Sequence, residues 1–171
     1  MENKQKTGPI GVGTRDLTFA AVSAALIFVV TRLAMVPVPA TQAYVNAGDL
    51  LIYICAFLFG GPAAGISAAL GSALADLAGG YAVYAPATFV IKGLMGLVAG
   101  FIIGKKPAFV PFLIACLAGG VIMAGGYALF ENLMFGAEYM LAALPGNLIQ
   151  AACGVAACAF YAPLKRLRIY I

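Results

Sequence analysis

The sequence predicts an all-α integral membrane protein, a bundle of six transmembrane helices with both termini cytoplasmic. Three observations predict it: the apolar composition, the spacing of the apolar runs and the placement of the basic residues. Of 171 residues, 64% are hydrophobic and 9% are charged. Soluble domains carry about 25% charged residues, so this chain has too little polar surface to cover a globule in water. A water-soluble enzyme, a nucleic-acid binder and a disordered chain are excluded. A spanning helix needs ~20 mostly apolar residues, so six use ~120 and leave roughly 50 for loops and tails. The expected division is a polar tail over 1–16, the bundle over 17–163 and a basic tail over 164–171.

The first span covers about 17–36. The apolar run exceeds a signal-peptide core and lacks a clear cleavage site, so it reads as a retained helix. Pro37 and Pro39 end it, because proline cannot continue the hydrogen-bond ladder. After the loop over 37–48, Asp49 opens a second apolar run that stops at the turn signal Gly60-Gly61-Pro62. The third span, about 63–77, consists almost wholly of Ala, Gly, Ser and Leu and closes at Gly79-Gly80. Spans two and three are short enough to form a broken hairpin. A short aromatic loop over 81–86 leads to the fourth span, about 86–103, which Lys105-Lys106-Pro107 stops. The fifth span covers about 108–130. A mixed loop over 131–144 precedes the sixth, which starts near Pro145 and ends at Pro163.

Orientation follows from Lys and Arg in the short loops, which favour the cytoplasm. Lys4, Lys6 and Arg15 precede the first span, Lys105 and Lys106 follow the fourth, and Lys165, Arg166 and Arg168 follow the sixth. Six crossings put all eight on one side, whereas an odd number splits them. Arg32 and Lys92 lie within spans.

Glycine is dense, at 21 residues. Lipid supplies no hydrophobic drive for helix association, so close approach through small side chains takes its place. Such ladders are Ala20/Ala24 and Ala21/Ala25 on the first helix. Gly65/Ala69, Ala68/Ser72 and Gly71/Ala75 form them on the third, and Gly96/Gly100/Gly104 on the fourth. Cys55, Cys116, Cys153 and Cys158 lie in apolar runs without a CxxC pattern and read as small buried hydrophobes rather than disulfides or zinc ligands.

Ionisable groups inside a span point to function. Lys92 lies six residues past Pro86, about 9 Å into the fourth helix. Asp76 lies at a similar depth on the third. The two are expected either to form a structural pair or to take part in a site, with Asp49 a further acidic candidate. Asn46 and Asp49 border the first outer loop, Tyr81 and Tyr84 flank the second, and Glu131, Asn132, Glu138 and Tyr139 occupy the third. Asn147 and Gln150, three apart, share one helix face, and Tyr127 lies one turn before Glu131. Convergent polar groups mixed with aromatics define a small-ligand pocket. The expected ligand shell is Lys92, Asn147, Gln150 and Glu131 with Asn46, Asn132 and an aromatic from Tyr81, Tyr84 or Tyr127. A solvated rim with an aromatic belt is the plainer alternative. The sequence has no phosphate-cradling GxxxxGK[ST] loop, no His and no nucleophile elbow, and no cofactor or metal is expected.

Several of these residues carry a family resemblance. Asn46-Ala47-Gly48-Asp49 opens the second helix, Gly60-Gly61-Pro62 makes the turn, and the run from Gly71 to Asp76 closes the third helix. Tyr84-Ala85-Pro86 then precedes Ile91-Lys92-Gly93. In this order and spacing they resemble the S components of energy-coupling factor (ECF) vitamin transporters. The nearest branch is the one associated with riboflavin, hydroxymethylpyrimidine or pyridoxine. The resemblance spans nearly the whole chain and is strongest over 46–100. It implies a six-helix S component that captures a vitamin at the extracellular face, with the first outer loop as a lid. It also implies docking on a transmembrane coupling protein that carries two cytoplasmic ATPases. The family's small-residue motif on helix one matches Ala20/Ala24 or, one residue on, Ala21/Ala25. The resemblance further implies that the S component topples in the membrane. A self-sufficient small-solute transporter or oligomeric channel, lined by the same polar groups, is the alternative; an intramembrane enzyme has least to stand on.

Overall fold

Seven helices and one two-stranded hairpin make up the computed structural model, which describes residues 14–39, 41, 43–105 and 108–168. Lys4, Lys6, Gln42 and Lys106 lie outside the described residues, as do the side chains of Arg15 and Arg168. Helix α1 covers Thr14–Leu33. Strands β1 (Val36–Pro37) and β2 (Tyr44–Val45) pair antiparallel, Val36 opposite Val45 and Pro37 opposite Tyr44. Then follow α2 (Gly48–Phe59), α3 (Gly61–Gly79), α4 (Ala85–Ile103), α5 (Phe109–Phe135) and α6 (Ala137–Val155). A 3-10 turn (Ala156–Phe160) runs into α7 (Tyr161–Arg168). Among the described residues, three stretches are long and apolar enough to cross a membrane: Ala85–Ile103, Phe109–Phe135 and Ala137–Leu167.

Helix α2 has 12 residues, about 18 Å of helix against a hydrocarbon core of ~30 Å. It is the centre of the molecule. Ile52, Tyr53, Ala56 and Phe57 are fully buried, and Phe57 packs on Phe112 and Tyr161. The joint to α3 is Gly60, whose φ of 88° suits a residue without a Cβ. Pro62 in the first turn of α3 and Pro86 in that of α4 lack N–H groups that a helix start leaves unpaired anyway.

The small-residue ladders of the third and fourth spans are spent inside the molecule. A Cβ on Gly96 would sit 2.5 Å from the Ala64 carbonyl oxygen, and one on Gly71 2.5 Å from that of Ala24. Helix α3 therefore packs tightly between α4 and α1. Gly104 lies outside that seam, ending α4 with φ 62°. On α1 the two ladders separate: Ala20 and Ala24 are 2% and 9% exposed, whereas Ala21 and Ala25 are exposed. Large apolar side chains such as Leu17, Leu26, Val121 and Leu133 cover the outside of the bundle, an arrangement suited to lipid.

The expected third outer loop, 131–144, is helical. Helix α5 runs on to Phe135, Gly136 (φ 92°) breaks the chain, and α6 begins at Ala137 with Pro145 inside it. Residues 137–144 are mostly strong helix formers, and they outweigh one proline. Pro163 does not end the last helix, because it lies in the first turn of α7. Cys55 and Cys116 are buried as expected, but Cys153 is exposed.

The ends of the bundle differ. At one, Phe19 stacks on Phe59, and Phe109 packs on Tyr161. Lys105 in the α4–α5 connection and Lys165 and Arg166 on α7 belong to this basic end. At the other, the β1–β2 hairpin meets the α3–α4 and α5–α6 connections, where Tyr44 packs on Tyr81 and Tyr139 on Phe135.

Candidate functional site

A small cavity, partly open to the outside, lies under the hairpin. Each wall has a local cause. Tyr127 and Glu131 are four apart on α5, and Asn147 and Gln150 are three apart on α6, so each pair points one way. Thr88 and Tyr84 stand at the start of α4, Asp76 near the end of α3, and Tyr44 and Asn46 hang from the hairpin. The hairpin comes close because α6 offers a glycine beneath it. A Cβ on Gly146 would lie 2.9 Å from Val38 Cγ2.

The buried polar groups are hydrogen-bonded in separate clusters. Lys92 Nζ pairs with Asp49 Oδ1, both residues being 2% exposed. Gln150 Nε2 donates to Asp49 Oδ2 at 3.0 Å, while Gln150 Oε1 accepts from the Asn46 backbone N–H at 3.1 Å. Asn46 Oδ1 accepts from the Gly48 N–H at 2.8 Å, one of the free N–H groups at the start of α2. On the opposite wall Asn147 Nδ2 donates to Glu131 Oε2 at 3.0 Å. The Tyr84 hydroxyl donates to Glu131 Oε1 at 3.4 Å and is bonded to the Tyr139 hydroxyl at 3.1 Å. Tyr44 donates to Asp76 Oδ1, and the Thr88 and Tyr127 hydroxyls are bonded at 2.9 Å. Burial, and then the nearby Asp76, push the Tyr44 phenol far above its usual pKa, so it acts as a donor. Burial, with Tyr139 and Glu131 beside it, does the same for Tyr84.

Six of the expected residues line this cavity: Asn46, Tyr84, Tyr127, Glu131, Asn147 and Gln150. Asp76, read as a structural partner or part of a site, lines it too. Three expected ligand contacts stand elsewhere. Lys92 lies outside the cavity wall, its ammonium held by Asp49 and 5.4 Å from the Tyr127 ring centroid. The expected Lys92–Asp76 pair is thus replaced by Lys92–Asp49. Position along a helix gives depth, but the partner is chosen by azimuth, and α2 occupies the centre. Tyr81 packs on Tyr44 and lines a separate shallow hollow with Thr41, Gly80 and Val83. Asn132 is exposed, because it follows the buried Glu131 by one position and turns away. Tyr44 and Thr88 were not expected. Thr88 lies one turn before Lys92 on the same face, a signal present in the sequence, whereas Tyr44 depends on the hairpin register. The described residues contain no cluster of metal-ligating side chains.

Fold and site define a class: a helical membrane bundle with buried polar clusters and a cavity at one end. Within that class the chain belongs to the family of S components of ECF-type riboflavin transporters, whose family model matches residues 12–166. This is a family of transport proteins, not of enzymes. The chain is 32% identical over 151 residues to the thiamine precursor transporter HmpT of Lactococcus lactis subsp. cremoris (strain MG1363). The match covers 88% of this chain and 87% of that relative. It is 35% identical over 127 residues to an uncharacterized protein of Pyrococcus woesei, over 74% of this chain and 85% of the relative. Two solved structures share the fold. The S component of a bacterial ECF transporter superposes with a TM-score of 0.71 at 18% identity, over 90% of this chain and 96% of that one. The S component for biotin from an ECF-type ABC transporter superposes with a TM-score of 0.65 at 20% identity, over 98% and 94% of the two chains.

Proposed function

We propose that the chain is the substrate-binding S component of an ECF importer and captures a small heteroaromatic vitamin or vitamin precursor in the cavity under the hairpin. The carrying observation is the convergence there of Glu131, Asn147, Gln150, Asn46, Tyr84 and Tyr127. Polar groups fix orientation and the aromatics stack on a ring. The free space enclosed under the hairpin is small, well below the ~300–1,000 Å³ of open ligand pockets. That favours a single-ring compound of the pyridoxine or hydroxymethylpyrimidine type over the three-ring riboflavin. A relative described as a thiamine precursor transporter supports a ligand of this size.

The basic end faces the cytoplasm in this reading, since Lys and Arg collect inside. Six crossings then put both termini inside and the cavity at the extracellular face of a prokaryotic plasma membrane. Helix α2 crosses only part of the depth, and the hairpin above it serves as the lid. A transmembrane coupling protein with two cytoplasmic ATPases supplies the energy. It docks on α1 through Ala21 and Ala25, because Ala20 and Ala24 are already covered within the chain.

The test is thermal unfolding of the purified chain against a panel of water-soluble vitamins and precursors. A ligand at 100 times its Kd stabilises by about 2.7 kcal/mol, so a clear rise of the midpoint with one compound is expected. A panel without any shift overturns the reading. Uptake by liposomes holding this chain alone replaces it with a self-sufficient transporter.

A further inference from the structure

The four cysteines do not share one environment. Cys55 and Cys116 are buried, Cys158 is half-buried and Cys153 is exposed. Two of them meet. Cys116 on α5 and Cys158 in the 3-10 turn are 42 positions apart in the sequence, yet their Sγ atoms stand 3.7 Å apart, the Cys158 thiol donating to Cys116. Phe112, one turn before Cys116, and Tyr161, three positions after Cys158, both pack on the ring of Phe57. The sulfurs therefore face each other within the packed basic end of the bundle. A disulfide needs its sulfurs about 2.05 Å apart, so roughly 1.7 Å remains to be closed. Cys158 sits in 3-10 helix, whose hydrogen bonds are poorer than those of an α-helix, and a small backbone shift costs less there than inside α5 or α6. The chain between the two cysteines carries Tyr127, Glu131, Asn147 and Gln150, four residues of the cavity wall. Gly136 already joins α5 to α6 at the cavity end. A bond between the two sulfurs would join them at the basic end as well.

We propose that Cys116 and Cys158 are a redox modification site, a dithiol that a peroxide closes to a disulfide, tying the foot of the α5–α6 pair. Neither cysteine lines the cavity, so the inference stands apart from any reading of the ligand. Cys158, the half-buried member, meets the oxidant. Its sulfur gives up a proton and attacks one peroxide oxygen. The O–O bond breaks, hydroxide leaves and takes up that proton as water, and the sulfur becomes a sulfenic acid. The Cys116 sulfur then attacks Cys158 Sγ. The S–O bond breaks, and the hydroxyl leaves with the Cys116 proton as a second water. Two thiols lose two electrons and one peroxide is reduced to two waters. Because Cys116 waits at 3.7 Å, the sulfenic acid is intercepted before more peroxide carries it to the irreversible sulfinic acid. Thiol–disulfide exchange with a reductant reopens the pair. In the closed form, the helices that carry Glu131 and Asn147 are restrained at both ends against sliding or splaying.

The test uses the full chain with Cys153→Ser in membrane vesicles, treated with hydrogen peroxide and, in parallel, with diamide. Of its three remaining cysteines, two are expected to resist alkylation after denaturation and to react again once reduced. Proteolysis should release a peptide pair linked through Cys116 and Cys158. Adding Cys116→Ser or Cys158→Ser should abolish the linked pair, and peroxide should leave the Cys116→Ser chain with a sulfenic acid on Cys158 that dimedone traps. In detergent the oxidised chain is expected to unfold about 5–15 °C above the reduced one, the range for a disulfide closing a loop of this kind. Either single variant should show no such rise after the same treatment. The absence of a linked peptide with both oxidants overturns the proposal. So does linkage through Cys55 or between two chains in place of the Cys116–Cys158 pair, or a linked chain that unfolds at the same temperature as the reduced one. If the serine variants fail to fold, the linked peptide and the midpoint of the parent chain decide.

Discussion

Lys92 shows how far single residues can be read. Its functional weight follows from sequence alone, since an ammonium inside an apolar helix requires a partner. That partner is Asp49. Removing one member of a buried ion pair costs about 3–5 kcal/mol, because the other charge is stranded. Lys92→Met is therefore expected to lower the thermal midpoint sharply in detergent, and adding Asp49→Asn should recover much of the loss. A Lys92→Met chain as stable as the wild type would show that the pair does not hold the bundle. Asn147→Ala reads the cavity more cleanly, since it removes one hydrogen bond to Glu131 at the wall. A loss of one buried bond, ~1–3 kcal/mol, predicts affinity weakened about 5- to 150-fold with folding retained; equilibrium binding checks it. The polar residues on α5 and α6 were legible from their spacing. Tyr44 was not, because no periodicity tells which residue of a proline-rich loop turns inward.

At the scale of elements, the first four helices and their turn signals were legible, since Gly60, Gly79-Gly80 and the prolines stand where the backbone requires them. The α5–α6 connection was not. Polar residues over 131–139 read as a loop, yet they occupy two helices joined by one glycine. Polarity there serves the cavity and the bundle end rather than a turn. Helix α1 yields a contrast between adjacent residues. Ala20→Leu overfills a site packed by the chain's own helices, and overpacking costs typically 1–3 kcal/mol. It should lower the thermal midpoint of the isolated chain. Ala21→Leu lies on the exposed face and should leave that midpoint unchanged while reducing co-purification with the coupling protein. Co-purification lost through Ala20→Leu alone, with Ala21→Leu neutral, would put the contact on the other ladder.

For the whole molecule, the helical membrane character and the family were accessible from composition and motifs. The cavity's shape required three connections to meet at one end, which no local pattern encodes. Orientation is open to a direct measurement. Val83→Cys, beside the cavity, should react with an impermeant thiol reagent in intact cells, and Lys105→Cys should react only after the membrane is opened; the reverse pattern inverts the topology. The Cys153→Ser background removes the exposed native thiol. Helix α2 carries a last consequence, for biosynthesis. At 12 residues it is about two-fifths short of a span that partitions into lipid by itself. A nascent chain that has exposed only Phe59 holds an apolar segment with no stable place in the bilayer. Insertion of α2 must therefore await α3, and the Gly60 joint lets the two enter together as one re-entering unit. Ribosome-arrested chains should leave α2 open to added protease until the α3 sequence has cleared the exit tunnel, and protected afterwards.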